Sequence, residues 1–167
     1  GLGDVYKRQA IIGAGPAGLS CAYYLALTGY RPIVFEKNEK PGGMLTYGIP
    51  SYKLEKDVVE AEIDIIRTLG VEIKCGVEVG KDITLDELRK DGYEAFYIAI
   101  GCQGSRKSGV DGEDADGVMS AVDILHEIAE NHDLDLKGNK TVVIGGGNVA
   151  VDVARSTKRC GADVLGM

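Results

Sequence analysis

The chain has 167 residues, enough for one domain and part of a second. Apolar residues make up 44% and charged residues 27%, which is typical of a globular protein with a proper hydrophobic core. The net charge of −7 argues against a broad nucleic-acid-binding surface, because such a surface needs clustered Lys and Arg. We see no apolar run long enough to span a membrane and no secretory signal pattern. We therefore expect neither a nucleic acid nor a membrane as a partner.

The two ends of the sequence do not look like the ends of a domain. Residues 4–9, DVYKRQ, resemble the translated end of a sequencing adapter, so we interpret residues 1–9 as a non-native scar outside the fold. The alternative is a native, irregular segment. The sequence stops at Met167, just as a new strand is predicted over 162–165. We therefore expect a fragment of a longer protein.

The first motif is a strand, a glycine turn and a helix. The apolar residues 10–12 precede a helix predicted over 16–28. Gly13, Gly15 and Gly18 join them with the spacing G-x-G-x-x-G. In a dinucleotide-binding unit the first glycine permits a tight turn, the second lets a pyrophosphate approach the backbone, and the third allows close helix packing. The amides and the dipole at the helix N-terminus then bind the phosphates.

Glu36 supports this interpretation. It ends the next predicted strand, residues 32–36, and follows Gly13 by 23 positions, near the expected place of the acid that hydrogen-bonds an adenosine ribose. The alternative is a surface glutamate at a strand end. The following loop, residues 37–50, is rich in Gly and Pro yet also carries apolar side chains. We expect it either to line a pocket for a flat ligand or to pack its own side chains on the core.

The middle of the chain continues the alternation of helix and strand. Residues 95–100, AFYIAI, are typical of a buried strand, and the acidic turn over 111–117 lacks the calcium-loop spacing. The other predicted elements are a helix over 56–69, strands over 71–75 and 77–79, a helix over 84–90 with a Thr84–Glu87 capping box, and a helix over 120–130 with Ser120 as its N-cap. The apolar side of the helix over 56–69 consists of Val58, Val59, Ile63, Ile66 and Leu69.

A second glycine motif follows an apolar strand predicted over 141–144. Gly145, Gly147 and Ala150 have the spacing G-x-G-x-x-A, and a helix is predicted over 148–158. Alone, this motif could be a glycine turn in an α/β sheet. Two copies in one chain predict two dinucleotides, and the common reason to hold two is hydride transfer between a nicotinamide and a flavin. We assign the flavin to the first motif and the nicotinamide to the second.

These elements predict an α/β fold. A doubly wound, Rossmann-like FAD-binding domain is followed by the start of a second Rossmann-like domain that binds NAD(P). The predicted boundaries are 1–9 for the scar, 10–118 for the incomplete FAD-binding domain, 119–139 for a connecting helix and loop, and 140–167 for the truncated NAD(P)-binding domain.

The cysteines and histidines predict no metal site and no dithiol centre. The cysteines are scattered without a C-x-x-C pair, which disfavours zinc, an iron–sulfur cluster or dithiol chemistry within this chain. Reduced thiols in a cytoplasmic protein are the simpler interpretation. His126 and His132 have no second His or Cys at ligand spacing, so we expect surface or rim histidines. The cysteines are Cys21, Cys75, Cys102 and Cys160.

With both motifs placed, the chain resembles the two-dinucleotide-binding flavoprotein superfamily. More narrowly, it is similar to the NADPH-dependent glutamate synthase small (beta) subunit and its relatives. The narrower resemblance depends on PGGMLTYGIP at 41–50, Lys53-Leu54, AIG at 99–101 and GGGNVAVDVAR at 145–155. It covers nearly all of residues 10–164.

The resemblance implies a set of cofactor-binding residues. Glu36 would hold the adenosine ribose with Lys37 beside it, and Val79 would meet the adenine through its backbone. The remaining FAD contacts would be the pyrophosphate cradle of Gly13, Gly15, Pro16, Ala17 and Gly18, the flavin-end residues Gly43, Met44 and Leu45, and residues 99–101, in which Ala99 and Gly101 pass under the FAD. The NADPH pyrophosphate would be held by Gly145, Gly147, Asn148, Val149 and Ala150.

The resemblance also implies a reaction, in which NADPH or NADH passes a hydride to FAD. That step requires no protein acid or base, so we name no catalytic residue. Electrons would then reach iron–sulfur clusters in missing domains or in a partner such as a glutamate synthase large subunit. The alternatives are a related ferredoxin-linked or dihydropyrimidine-dehydrogenase-like electron-transfer subunit, or a non-catalytic nucleotide-binding fragment. Without paired active-site cysteines, thioredoxin or glutathione reductase activity is disfavoured.

Overall fold

The computed structural model describes residues 8–131 and 134–167. Contacts divide the chain into two compact units. The first runs to Thr46 and resumes over Glu55–Gly101, and the second consists of Tyr47–Leu54 and Cys102–Met167. His132, predicted as a surface or rim histidine, lies outside the described residues. None of the described helices is long and apolar enough to cross a membrane.

The first unit is built around a parallel sheet. In its described residues the strands lie in the order Glu72–Cys75, Ile33–Glu36, Arg8–Ile12 and Tyr93–Ile98, and every neighbouring pair is parallel. This crossover order, with helices between the strands, is the doubly wound α/β arrangement that the sequence predicts. The elements are β1 (Arg8–Ile12), α1 (Pro16–Leu27), β2 (Ile33–Glu36), α2 (Met44–Tyr47, at the border of the units), α3 (Lys56–Thr68), β3 (Glu72–Cys75), α4 (Leu85–Lys90) and β4 (Tyr93–Ile98).

The core of this unit lies along β1 and β2. Ile11 pairs with Val34 on one side and Tyr97 on the other, so β1 is a central strand. Central parallel strands are buried on both faces, which is why residues 10–12 of β1 and 33–35 of β2 are all apolar. One buried cluster consists of Ala10, Ile12, Phe35, Leu88 and Tyr93.

The second unit contains the strand–turn–helix–strand of the second glycine motif. Its two strands pair in parallel across a helix, as in one mononucleotide-binding half. Its buried core consists of Ile124, Leu125, Val143 and Val153, with Ala150 and Ala154 packed against it. The elements are α5 (Ala121–Glu130), β5 (Lys140–Val142), α6 (Asn148–Arg159) and β6 (Asp163–Gly166).

The predicted helix starts are confirmed at two places. Thr84 accepts a hydrogen bond from the Glu87 amide at 3.2 Å, and the Glu87 carboxylate accepts one from the Thr84 amide at 2.8 Å. Ser120 accepts a hydrogen bond from the Asp123 amide at 3.1 Å. These caps satisfy amides that have no partner inside the helix, so a local pattern is enough to predict them.

Several predicted elements differ from the structure. Residues 77–79 do not form a strand, and Val79 makes only an isolated bridge to Ile83. The loop over 37–50 contains the short helix α2. In α3 only Val59 and Ile63 are buried, whereas Val58 and Leu69 are exposed.

Strand β4 and the start of β1 also differ from the prediction. The strand expected to be buried over 95–100 ends at Ile98. Tyr97 and Ile98 are exposed, and β4 is an edge strand of the described sheet. Arg8 and Gln9, which were left out of the fold, belong to β1. Arg8 is accommodated at the strand start because its guanidinium bonds the Asp91 carbonyl at 2.8 Å and lies over the Tyr93 ring.

Replacing Leu88 with Ala tests the core of the first unit. Leu88 is 1% exposed, so Leu88→Ala should lower the free energy of unfolding by about 2–5 kcal/mol through lost burial and a cavity. Leu27→Ala is the matched control, because Leu27 is 55% exposed and its loss should cost less than about 0.5 kcal/mol. Urea unfolding followed by circular dichroism measures both. Equal effects of the two substitutions would contradict this packing.

Candidate dinucleotide-binding site

Two glycines of the first motif are required by the packing of the protein itself. Gly13 has φ +105°, and a Cβ there would lie 2.4 Å from the Ala99 carbonyl oxygen. A Cβ at Gly18 would lie 1.9 Å from the Gly13 carbonyl oxygen. No side chain fits at either distance, so these glycines allow β1, α1 and the end of β4 to approach closely.

Gly15 is different, because the protein leaves room for a side chain there. Its φ of −76° suits any residue, and a Cβ would meet nothing closer than Gly43 Cα at 4.0 Å. Gly15 is the N-cap of α1, and Pro16 occupies the first turn. The N–H groups of that turn have no partners inside the helix. The opening above Gly15 is therefore available to an anionic ligand such as a pyrophosphate.

Glu36 lies beside this turn and is not a surface residue. Glu36 is only 5% exposed, so the alternative that it is a surface glutamate is wrong. Its carboxylate accepts hydrogen bonds from the Ala14 amide at 2.8 Å and the Asn38 amide at 2.9 Å. Glu36 thus fixes the glycine turn from the end of β2, whereas Lys37 next to it is exposed.

The segment before α3 closes one side of the same turn. The Gly42 amide donates to the Ala14 carbonyl at 2.7 Å, and a Cβ at Gly43 would lie 2.9 Å from Gly15 Cα. The Lys56 ammonium donates to the Leu45 carbonyl at 2.7 Å, which fixes the start of α2. The structure therefore brings Gly43 to the first motif, as the sequence interpretation expects of a residue near the cofactor.

The remaining predicted FAD residues are more dispersed. Met44 is exposed and Leu45 is half-buried at the start of α2. Val79 packs against the core cluster of the first unit. The Ala99 amide donates to the Ile12 carbonyl at 2.8 Å, so Ala99 lies beside Gly13, and Gly101 is exposed where the first unit ends.

The second glycine motif has the same local design. Gly145 has φ +131°, whereas Gly147 is the N-cap of α6 with an ordinary φ of −80°. A Cβ at Gly147 would meet nothing within 4 Å. Ala150 takes the place of the third glycine, and its Cβ lies 3.7 Å from where a Gly145 Cβ would be. Asn148 and Val149, in the first turn of α6, are exposed.

The four cysteines are free, and the surroundings of Cys21, Cys75 and Cys160 disfavour thiolate chemistry. Burial raises the pKa of Cys21 and of Cys160, the latter also through the charge of Asp135. Burial also raises the pKa of Cys75, and the charge of Glu36 adds to that shift. A raised pKa keeps a thiol protonated at neutral pH, so these groups are poor nucleophiles.

Among the described residues, no group of His, Cys, Asp and Glu is arranged to hold a metal ion. His126 is half-buried on α5, and its ring centroid lies 4.7 Å from that of Tyr47. The sequence predicts a surface or rim histidine at this position, but it carries no signal for the contact with Tyr47. It also misses the contacts of Tyr52 and Asp152, since residues so far apart in sequence share no spacing signal.

The fold and the paired glycine motifs define a class of oxidoreductases that use FAD and a nicotinamide dinucleotide. The chain belongs to the pyridine nucleotide-disulphide oxidoreductase family, whose model matches residues 7–165. This confirms the superfamily resemblance and the α/β fold predicted from the sequence.

The curated relatives include the glutamate synthase small subunit, the narrower group that the sequence resembles. The chain is 48% identical to the NADP(+)-dependent formate dehydrogenase subunit beta of Moorella thermoacetica, over 93% of this chain and 22% of that protein. It is 40% identical to the glutamate synthase [NADPH] small chain of Escherichia coli K12, over 97% of this chain and 36% of that protein. The chain thus spans about a fifth to about a third of these relatives.

Solved structures agree with the fold. Mycobacterium tuberculosis FprA in complex with NADPH matches with a TM-score of 0.76 and 28% identity, over 89% of this chain and 36% of that one. Lactococcus lactis thioredoxin reductase matches with a TM-score of 0.62 and 27% identity, over 93% of this chain and 54% of that one.

Substitution of Gly15 tests the opening at the first motif. Gly15→Val should leave the circular dichroism spectrum unchanged, because the backbone at Gly15 is unstrained and a Cβ there meets nothing closer than 4.0 Å, yet it should abolish FAD retention by filling the ligand's place. The flavin absorbance that survives desalting measures retention. Gly104→Val, also at an open glycine but outside the motif, is the control and should retain FAD. Unchanged flavin content in Gly15→Val would contradict the assignment.

Proposed function

We propose that this chain binds FAD at the first glycine motif and NADPH, or NADH, at the second, and passes a hydride from the nicotinamide to the flavin. The observation that carries the proposal is the same at both motifs. Each helix has a glycine N-cap, Gly15 or Gly147, where the backbone is unstrained and the protein's own packing leaves room for a Cβ, so the missing Cβ keeps the helix N-terminus open to a ligand. Membership in the oxidoreductase family supports the reaction class.

The protein's part in this reaction is binding and orientation. The bound cofactors supply the hydride donor and acceptor, so no side chain has to act as an acid or base. Backbone amides at the start of α1 and of α6 would hold the two pyrophosphates. Glu36 would orient the adenosine end of FAD while its hydrogen bonds keep the glycine turn in shape. The residues that would contact FAD are Gly13, Gly15, Pro16, Ala17, Gly18, Glu36, Lys37, Gly43, Met44, Leu45, Val79, Ala99 and Gly101, and those that would contact NADPH are Gly145, Gly147, Asn148, Val149 and Ala150.

The domain assignment is part of the proposal. The FAD-binding part, predicted over 10–118, would begin at Arg8 because β1 begins there. Residues 140–167 would form the start of the NAD(P)-binding part, joined to the first by 119–139. The first compact unit ends at Gly101, and Tyr47–Leu54 belongs to the second unit. The boundaries of the compact units therefore differ from those of the proposed cofactor-binding parts.

We further propose that the reduced flavin passes its electrons to the iron–sulfur centres of a partner subunit of the glutamate synthase type. Three relatives are named as components of larger assemblies: a formate dehydrogenase subunit beta, a glutamate synthase small chain, and an NADPH-Fe(3+) oxidoreductase subunit beta. The similarity to the formate dehydrogenase and NADPH-Fe(3+) oxidoreductase subunits equally favours a related electron-transfer subunit with another electron acceptor. A non-catalytic nucleotide-binding role is the other candidate, and it predicts bound flavin that NADPH fails to reduce.

Anaerobic reduction of the FAD-loaded chain by NADPH tests the reaction. The visible flavin absorbance should fall on addition of NADPH, and Gly147→Val should slow this reduction at least about tenfold because its side chain fills the second opening. Its FAD content should equal that of the unsubstituted chain. Gly104→Val is again the control. Bound flavin that stays oxidised in the unsubstituted chain would exclude the proposed hydride transfer.

A further inference from the structure

The second unit includes a short segment from the middle of the first. Residues Tyr47–Leu54, which we call the strap, leave the first unit after Thr46 and return to it at Glu55. The strap carries three side chains with specific contacts to helices of the second unit, and none of these contacts is explained by the cofactor residues above. The side chains are those of Tyr47, Tyr52 and Lys53.

The strongest contacts are with α6. The Lys53 ammonium forms an ion pair with Asp152 Oδ1. The Asp152 side chain is only 13% exposed, and its buried Oδ1 accepts no hydrogen bond of normal geometry from the described residues. Lys53 is thus the charge partner of a largely buried carboxylate, and its removal would leave that charge uncompensated.

The neighbouring Tyr52 adds a second attachment to the same helix. The guanidinium carbons of Arg155 and Arg159 lie 4.7 and 4.5 Å from the centroid of its ring. Distances below about 6 Å allow cation–π attraction. The Tyr52 hydroxyl is also 3.5 Å from the Asp152 carbonyl oxygen. Tyr52 therefore spans two turns of α6.

A third contact attaches the other end of the strap to α5. The Tyr47 ring is buried, and its centroid lies 4.7 Å from that of His126. Because α5 and α6 share the core of the second unit, the strap is attached to both helices that form this core.

We propose that the strap is a positioning element for α6, and that the Lys53–Asp152 pair with the Tyr52 stack thereby sets the affinity of the second glycine motif for a nicotinamide dinucleotide. This rests on the proposed function of that motif. Asp152 lies one turn after Asn148, the first residue of α6. The amides that would hold the pyrophosphate belong to the first turn, so any displacement of α6 moves them directly. Lys53 and Tyr52 act through the helix and need not touch the nucleotide.

Two measurements on the full chain test the strap. Hydrogen–deuterium exchange of residues 148–159 reports on α6 without any cofactor, and calorimetric titration with NADP⁺ reports on the motif. Lys53→Met should accelerate exchange in α6 but not in α1, and should raise the Kd for NADP⁺ about tenfold. FAD content should not change. Lys158→Met, which removes a charge from an exposed position of the same helix, should affect neither measurement.

Restoring the pair distinguishes positioning from a general loss of stability. Lys53→Arg, and the reversed pair Lys53→Asp with Asp152→Lys, should bring both exchange and Kd back toward the unsubstituted values. Unchanged exchange in α6 after Lys53→Met, or failure of both restoring variants, would overturn the proposal. So would a normal Kd alongside faster exchange. If the unsubstituted chain binds no NADP⁺, the proposed function fails at the second motif and the link to affinity fails with it, while the exchange data still decide whether the strap holds α6.

Discussion

The first glycine motif depends on how closely backbones can approach one another. At Gly13 and Gly18 the neighbouring carbonyl oxygens lie within 2.4 Å of where a side chain would begin. This contact fixes α1 against β1 and brings the end of β4 beside the turn. The carboxyl ends of the parallel strands then meet at one edge of the sheet, which is where open α/β sheets bind ligands. At Gly15 no neighbouring atom lies this close, so the space above its Cα is open to a ligand.

An acidic chain can hold a dinucleotide because the attraction is local. Residues 13–19 contain no Lys or Arg, so a phosphate there would be bound by backbone amides and the helix dipole. Glu36 places a carboxylate next to the same turn, but that carboxylate is occupied by the amides of Ala14 and Asn38. Its charge therefore braces the turn, and a ribose hydroxyl is the kind of donor that its remaining lone pairs would accept.

Features with a local cause could be predicted from the sequence. The glycine turns follow from steric limits within a few residues, and the caps at Thr84 and Ser120 follow from side chains that reach amides three positions away. The family resemblance could be seen in the sequence for the same reason, because each of the motifs that carry it is local. The position of Glu36 at the end of β2 was predictable from the motif spacing, whereas its burial is seen only in the structure.

Features that depend on distant neighbours could not be predicted. Residues 95–100 have the composition of a buried strand, but the exposure of these side chains is decided by what packs on the faces of β4, and no local pattern contains that information. Arg8 and Gln9 looked too polar for a strand, yet Arg8 reaches Asp91 and Tyr93 from the strand start. The strap joins Tyr52 to Asp152 across 100 positions, so only the fold reveals it.

The central claim is that one chain has two separate dinucleotide sites. Calorimetric titration of the chain with NADP⁺, first without FAD and then with FAD at saturation, tests it most directly. We expect one NADP⁺ per chain in both titrations, with FAD failing to displace it. Competition between FAD and NADP⁺ for a single site would contradict the account.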